Sequence, residues 1–459
     1  MIRAAEHAAA DAGAGALLSR IDWALVPQGG WAWPDPARLV TDAVGSPHAR
    51  TTFVELGILQ QTLFTRAVES IQRGHTDVVL IAGAEARYRD VMHRKATGEP
   101  APVRAQDEAH PNSRWKPEQE ILSRTEIERL LATPAHQYAI IENARRALDG
   151  QSIPAHIAAV ADVWSRFSQV AAANPDAWRR EPMAAGALES ASEGNPWMAW
   201  PYTKWHCSQW NVDQGAAFLL CSTEVADALG IAADRRIYPV AAAESNHMVP
   251  LSRRAELGRS PAIAEVARAL TELGGVAPSD VPYVDLYSCF PIAVRNQAHE
   301  LGVRLDPAPT LTGGMTFAGG PLNNYVLQAM VKVVQTLRQD PTAMALSTSI
   351  SGMITKQGGG LWSGRPPAVE FRAADVTDAA ATATRTVDVD PEAAGEGTIA
   401  GYTVAHPRTQ APTVVALVDL ADGQRALATN DDADIVADLM TTEGVGRPVA
   451  VEGAALRLG

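Results

Sequence analysis

The feature that most constrains the fold is a largely apolar helix placed between two strands. The run "TTFVEL" at 51–56 is typical of a strand, and "GILQQTLFTRAVESIQRG" at 57–74 repeats apolar residues at helical spacing. Gly74 closes this helix as a C-cap, and the continuous apolar run "DVVLIAG" at 77–83 is typical of a strand buried on both faces. This order predicts a βαβ unit in a parallel sheet.

The second part of the chain repeats this pattern weakly. The strand "VPYVDLYSCF" at 281–290 precedes a glycine-rich turn, "TLTGGMTFAGG" at 310–320. A helix from about Pro321 to Arg338 then leads to the strand "AMALSTS" at 343–349. Two related α/β halves are therefore predicted.

These patterns divide the chain into three predicted domains. The first half spans 1–230 and includes a polar excursion at about 88–200, with helices predicted at about 125–148 and 154–172. The second half spans 231–370. Short strands in 385–459 predict a small β-barrel of the OB type. From residue 381 onward there are 12 acidic residues and five arginines, a net charge of −7, which argues against a nucleic-acid groove in this barrel.

Composition excludes several classes of function. The chain has 459 residues, 46% of them hydrophobic, and a net charge of −13, which favours a soluble, cytoplasmic protein and excludes nucleic acid as the main partner. No apolar run approaches the roughly 20 residues of a membrane span, and no signal peptide is evident. The three cysteines lack C-x-x-C spacing, so we predict neither a disulfide framework nor a metal site.

Four motifs in order carry a resemblance to the thiolase superfamily: "GILQQTLFTRAVESIQRGHTDVVLIAGAEA", "VDQGAAFLLCS", "VDLYSCFPIAV" and "TGGMTFAGGPLNN". The resemblance implies paired βαβαβ halves in a layered α/β/α/β/α arrangement. The added barrel resembles the C-terminal domain of thiolase-like proteins of the mycobacterial type. An acyl-CoA or CoA ligand, no further cofactor, and a homodimer through the thiolase fold are also implied.

The resemblance places an extra strand before the first helix, which here starts at Met1. Either the start codon is assigned too late, or the first sheet lacks this strand and exposes an edge.

The residues that carry thiolase chemistry are missing at the matching positions. Thiolases place a nucleophilic Cys at the N-terminus of the first buried helix, and the matching residue is Gly57. The His of their Gly-His-Pro turn matches Gly320, and their late acid/base Cys matches Ser349. Without side chains at Gly57 and Gly320, covalent acyl transfer through these positions is impossible.

Two side chains of the 281–290 strand match functional positions in parts of the superfamily. Cys289 matches an acid/base Cys of the sterol-carrier type and a small packing residue elsewhere. Tyr287 matches a Tyr of the thiolase-fold steroid side-chain aldolases. We favour packing for Cys289.

Further residues are predicted to bind the ligand. His247 lies in the loop that enters a helix near Pro261, and Arg253, next to Arg254, is placed to meet a CoA phosphate. Gly319, Gly320 and Asn323 belong to the glycine-rich motif and its continuation, where glycines let the backbone approach a ligand.

Three hypotheses on function remain open. The first is a thiolase-like protein, homologous to acetyl-CoA acetyltransferase, that binds an acyl-CoA or related thioester without thiolase chemistry. The second is a retro-aldol lyase that acts on a β-hydroxyacyl-CoA through Tyr287. The third is an acyltransferase with a displaced nucleophile such as Cys289.

Overall fold

The computed structural model describes residues 1–106 and 109–458. The helices are α1 (Ile2–Asp11), α2 (Pro36–Ala43), α3 (Gln60–Gln72), α4 (Arg87–Thr97), α5 (Arg124–Glu128), α6 (Pro134–Leu148), α7 (Ile153–Ala173), α8 (Thr223–Ala228), α9 (Pro261–Gly274), α10 (Pro291–Leu301), α11 (Gly314–Phe317), α12 (Tyr325–Gln339), α13 (Thr377–Ala383) and α14 (Ala433–Thr441). The strands are β1 (Trp23–Pro27), β2 (Arg50–Val54), β3 (Val78–Ala86), β4 (Ser113–Trp115), β5 (Trp197–Ala199), β6 (Tyr202–Thr203), β7 (Asp213–Cys221), β8 (Tyr238–Ser245), β9 (Tyr283–Asp285), β10 (Met344–Ser351), β11 (Lys356–Ser363), β12 (Arg372–Asp375), β13 (Ala394–Ala405), β14 (Thr413–Leu420), β15 (Arg425–Asn430), β16 (Pro448–Glu452) and β17 (Ala455–Leu458).

The first 375 residues contain two five-stranded sheets. The first has the order β4-β2-β1-β3-β7 and the second the order β12-β8-β11-β10-β9. The predicted βαβ unit is confirmed: β2 and β3 both run parallel to β1, and α3 connects them. Strand β1 is paired on both sides, with β2 and β3, and the outer strands of this sheet are β4 and β7.

Helices α3 and α12 form the inner layer between the two sheets. Phe64 of α3 shows this directly, because its ring packs edge-on against Phe218 of the first sheet at 5.3 Å and Trp362 of the second at 5.7 Å. Helices α1 and α2 cover the outer face of the first sheet, and α9 and α13 cover that of the second. The predicted α/β/α/β/α layering is confirmed.

The excursion leaves the first sheet at the end of β3 and returns at the start of β7. These strands pair antiparallel from Val78 with Cys221 to Ala86 with Asp213, so the chain between them begins and ends at one edge of the sheet. A helix predicted over 125–148 is broken after Glu128, because Leu130 adopts a left-handed backbone with a φ of 65° and Pro134 begins a new helix.

The last part of the chain forms a closed barrel of five strands. Its order is β13-β14-β15-β17-β16, and β16 pairs with β13 to close it. The excursion joins this barrel, because Ala199 of β5 pairs with Ala405 of β13 and Trp200 lies in the barrel core beside Tyr402. The barrel is therefore docked on α6 and the excursion strands as well as connected to the second half.

Two further predictions concern the start of α12 and membrane-spanning helices. The helix predicted from 321 begins at Tyr325, after a short 3₁₀ turn at Leu322–Asn324, because Asn323 leaves the helical backbone region. In the described part of the chain, every helix is too short or too polar to span a bilayer.

Candidate functional site

The two inner helices begin next to each other. The side-chain amide of Gln60, in the first turn of α3, donates to the side-chain oxygen of Asn323 and lies 3.5 Å from its backbone oxygen. The fold thus brings together the Gly57 region and the turn after Gly320, which lie more than half the chain apart in sequence. This meeting point of α3 and α12 is the candidate site.

Gly57 lies just before α3 and is buried. Its φ of 105° is in the left-handed region, where a side chain is strained. A Cβ at this position would also lie 3.1 Å from Cγ of Pro117 and 3.6 Å from Cδ1 of Ile121. The excursion thus covers the position that matches the thiolase nucleophile.

Gly320 is enclosed more tightly. A Cβ there would lie 1.9 Å from Oγ of Ser208 and 3.4 Å from Cε of Met315, and the Gly320 amide donates to the Gln209 oxygen at 2.9 Å. At Gly319, whose φ is 106°, a Cβ would lie 2.2 Å from Oε1 of Gln214. The chain itself therefore fills the space that matches the thiolase histidine.

Ser349 lies on β10, opposite Gly358 of β11, and its side chain is fully buried. The side chain that reaches Gly57 is a different one: Nζ of Lys356 donates to the Gly57 oxygen at 2.6 Å. Sequence reasoning missed Lys356. A signal was present, because only five lysines occur in 459 residues and this one directly precedes the apolar, glycine-rich strand "QGGGLW".

Buried polar atoms without a partner cluster around this meeting point. They lie on the first turn of α3, the turn before α12 and the facing side of β10, and no hydrogen-bond partner occurs for them among residues 1–106 and 109–458. They are Gln60 Oε1, Asn323 Nδ2, Asn324 Nδ2 and Oδ1, and Ser349 Oγ. Unsatisfied buried groups are costly, so such a cluster needs water or a ligand to complete it.

Tyr287 lies at the boundary between the two halves. Its ring contacts both main hydrophobic cores and packs edge-on against Tyr325 at 5.8 Å. The Tyr287 amide donates to Oγ1 of Thr348 at 2.8 Å, which fixes the backbone. Burial raises the pKa of the phenol above its ordinary value, so the hydroxyl remains protonated at neutral pH.

Cys289 lies in the core beneath α6. It is 8% exposed, its carbonyl accepts from the Ser208 amide at 3.0 Å, and its neighbour Phe290 stacks on Tyr138 at 4.4 Å. Burial raises the pKa of the Cys289 thiol to about 12. Since a thiolate is the reactive form, this environment disfavours a nucleophile and favours packing.

The predicted ligand-binding residues of the 246–254 loop separate in the structure. His247 lines a narrow cavity of about 30 Å³ that Arg254 and Thr355 also line. Arg254 is buried and donates to the carbonyls of Val249, Gly352 and Met353. The Arg253 side chain points away, is half exposed and pairs with Asp388 at 3.3 Å.

A larger cavity lies elsewhere, where α6, the 255–259 loop and the barrel meet. Its volume is about 660 Å³, and its lining is mostly apolar, including Ala144, Leu148, Leu257, Ala400 and Val445. None of the predicted site residues is among its lining residues.

Comparisons with known proteins agree with this architecture. Residues 377–454 match the family described as "Thiolase-like protein type 1 additional C-terminal domain". The match begins at α13, ahead of the boundary predicted at 385. No curated protein matches the chain.

Solved structures match over most of the chain. A monomeric SCP2-thiolase-like protein type 1 from Mycobacterium smegmatis matches with a TM-score of 0.81 and 28% identity, over 97% of this chain and 91% of that one. The Ltp2–ChsH2(DUF35) aldolase matches with a TM-score of 0.58 and 19% identity, over 78% of this chain and 90% of that one, which concerns the fold alone. The resemblance found in the sequence is confirmed: the chain is similar over most of its length to a thiolase-like protein of type 1, and residues 377–454 match the additional C-terminal domain of that type.

Proposed function

We propose that this protein binds an acyl-CoA or a related thioester where α3 and α12 begin, and that it performs no thiolase chemistry. The observation that carries the proposal is the cluster of unpartnered buried polar atoms on Gln60, Asn323, Asn324 and Ser349. Amide and hydroxyl groups of this kind suit the carbonyl and amide groups of a thioester ligand.

The loss of thiolase chemistry follows from two positions. Gly57 and Gly320 supply neither nucleophile nor base, and Pro117 and Ser208 occupy the space next to them. Removing members of a catalytic unit leaves only a residual rate, lower by on the order of 10⁴ or more. Incubation with radiolabelled acetyl-CoA and denaturation should leave no label on the protein.

Binding is tested by calorimetry with acetyl-CoA, acetoacetyl-CoA and free CoA. Gln60→Ala should weaken thioester binding by about tenfold, since it removes a polar group at the proposed site. Gln72→Ala is the matched control, because Gln72 is exposed at the other end of the same helix. Absence of thioester binding, or equal weakening in the two variants, would refute the proposal.

A retro-aldol lyase is the second candidate, favoured by the position of Tyr287 between the two cores. The phenol would act there as general acid/base on the β-hydroxyl or its product carbonyl: the β-hydroxyl loses its proton as the Cα–Cβ bond breaks, and the enolate formed takes up one proton, so the net proton balance is zero. Tyr287→Phe should then lower cleavage about 10²–10⁴-fold. Cys289→Ala is the control and should leave the rate unchanged, whereas a wild-type protein without cleavage activity excludes this candidate.

A further inference from the structure

The site contains a buried amine that the proposed function does not use. Lys356 is 5% exposed, and Nζ donates to the Gly57 oxygen at 2.6 Å. Among the described residues, no carboxylate oxygen lies within 4.0 Å of this Nζ. The other buried lysine, Lys332, pairs with Asp176 at 2.5 Å and donates to Gln335 at 2.9 Å. Lys356 is thus the buried ammonium that lacks a counter-ion in contact.

The turn before Lys356 is strained and firmly held. Gly352, Met353 and Ile354 all adopt left-handed backbones, with φ values of 58°, 50° and 74°. Such conformations at Met353 and Ile354 cost on the order of 1–3 kcal/mol each and persist only where surrounding contacts impose them. Arg254 imposes them here by donating to the Gly352 oxygen at 3.0 Å and the Met353 oxygen at 2.6 Å. The strained turn fixes the position of the amine.

The surroundings make a positive charge on the amine less favourable than in water. Nζ faces the N-terminal turn of α3, whose dipole disfavours a positive charge. Burial lowers the pKa of Lys356, against the opposing influence of Glu244 and Glu118. The Glu244 carboxylate is held by Thr62 at 2.9 Å and by Asn246 at 3.2 Å. A neutral lysine amine is a nucleophile towards carbonyl carbon.

The amine lies under a short cover. Residues 116–121, here called the strap, follow β4 and place the half-buried Pro117 and Ile121 over Gly57. The β4 end of the strap is held by the Glu55 amide, which donates to the Trp115 oxygen at 2.9 Å, and Gln119 accepts from the Met248 amide at 3.0 Å. Because Gly57 has no side chain to shield its carbonyl, Nζ of Lys356 can donate to this carbonyl beneath the strap.

We propose that Lys356 captures a ketone or aldehyde carbonyl as an imine. The neutral amine attacks the carbonyl carbon, so that a C–N bond forms and the C–O bond breaks. The carbonyl oxygen leaves as water, and in the net reaction both of its protons come from the amine nitrogen. The ligand class is a β-keto acid derivative or a β-hydroxy ketone. A β-hydroxyacyl thioester is excluded, because it has no ketone or aldehyde carbonyl from which an imine could form. The proposal shares the site of the proposed function but does not require CoA.

The test uses the full-length protein with acetoacetate and cyanoborohydride at pH 7, followed by peptide mass spectrometry. The reduced adduct should form on Lys356 about tenfold or more faster than on the exposed Lys95 and Lys116, because only Lys356 is held in a buried site. Lys332 in the same digest is the buried control and should remain unmodified. Equal labelling of Lys95, Lys116 and Lys356, or no adduct on Lys356, overturns the proposal.

A second arm separates this proposal from thioester binding. Lys356→Met should abolish the adduct while it keeps the affinity for acetyl-CoA within about twofold. Thioester binding without an adduct refutes the imine alone. An adduct without thioester binding refutes the proposed function alone. A persisting adduct at Lys356→Met would place the reaction on another residue and overturn the imine assignment.

Discussion

The starting turns of α3 and α12 occupy comparable places in the two halves, and in both the residue predicted to match a thiolase catalytic side chain is a glycine, Gly57 or Gly320. Around α12, the chain fills the vacated space, because Ser208 and Met315 crowd Gly320 from two sides. Around α3, Gly57 is covered by Pro117 and Ile121, but a new functional group, the Lys356 amine, contacts its carbonyl.

This difference shows that the same sequence change has two structural consequences. At position 320 only a glycine fits, because neighbouring side chains fill the interior around it. At Gly57 the glycine permits an unusual backbone, with a φ of 105°, and exposes a carbonyl to a buried lysine. The start of α12 is filled by packed side chains, whereas at the start of α3 a buried amine, that of Lys356, is present.

The largest effect is expected where the space is filled. Gly320→His should lower the free energy of unfolding by about 3 kcal/mol, because the imidazole must displace Ser208 and Met315. Urea denaturation measures this loss. Gly320→Ala should be largely rescued by Ser208→Gly, which removes the oxygen 1.9 Å from the new Cβ. A histidine variant as stable as wild type would show that the α12 terminus is open, and the comparison would fail.

A smaller effect is expected at the α3 terminus. Gly57→Ala should lower the free energy of unfolding by about 1–3 kcal/mol, because its φ of 105° strains a side chain and Pro117 lies 3.1 Å from the new Cβ. Gly74→Ala is the control: its φ of 68° is also left-handed, but no atom lies within 4 Å. Thermal unfolding should show the larger loss for Gly57→Ala, and equal losses would mean that the strap does not crowd this position.

The smallest effect is the contribution of Lys356 to the pH dependence of stability. Its pKa in the folded protein lies below the ordinary value of 10.5 because of burial, so between these two values the unfolded chain binds more protons. Stability should therefore rise with pH in this window, by at most about 1.4 kcal/mol per pH unit. Lys356→Met should lack this contribution, so its stability should rise less with pH than that of the wild type, and the variant should gain stability at neutral pH.

Lys332→Met is the matched control for this measurement. It removes the partner of Asp176, so it should lower stability at neutral pH, opposite to Lys356→Met. Chemical denaturation of the wild type, Lys356→Met and Lys332→Met across pH 7–10 measures these opposite changes in stability. If Lys356→Met destabilises the protein at pH 7, the buried ammonium is better compensated than its contacts indicate.

Local patterns in the sequence were sufficient for most of the fold. The apolar run in 77–83 and the helical spacing in 57–74 predicted β3 and α3, and both elements formed there. Short strands after residue 385 predicted the barrel, whose closure through β13 and β16 fits that pattern. The break between α5 and α6 was missed, because it depends on the left-handed Leu130 and no glycine marks it.

The sequence alone predicted which thiolase side chains are missing at Gly57 and Gly320, because the absence of a side chain at a glycine is independent of any contact. Which residues replaced it was decided only by the tertiary structure. Ser349 was predicted only as the match of the late acid/base Cys, and the side chain that contacts the Gly57 carbonyl is Lys356 of β11, 299 positions away in sequence. Contacts over such separations are set by strand register and packing between layers, which no local pattern in the chain encodes.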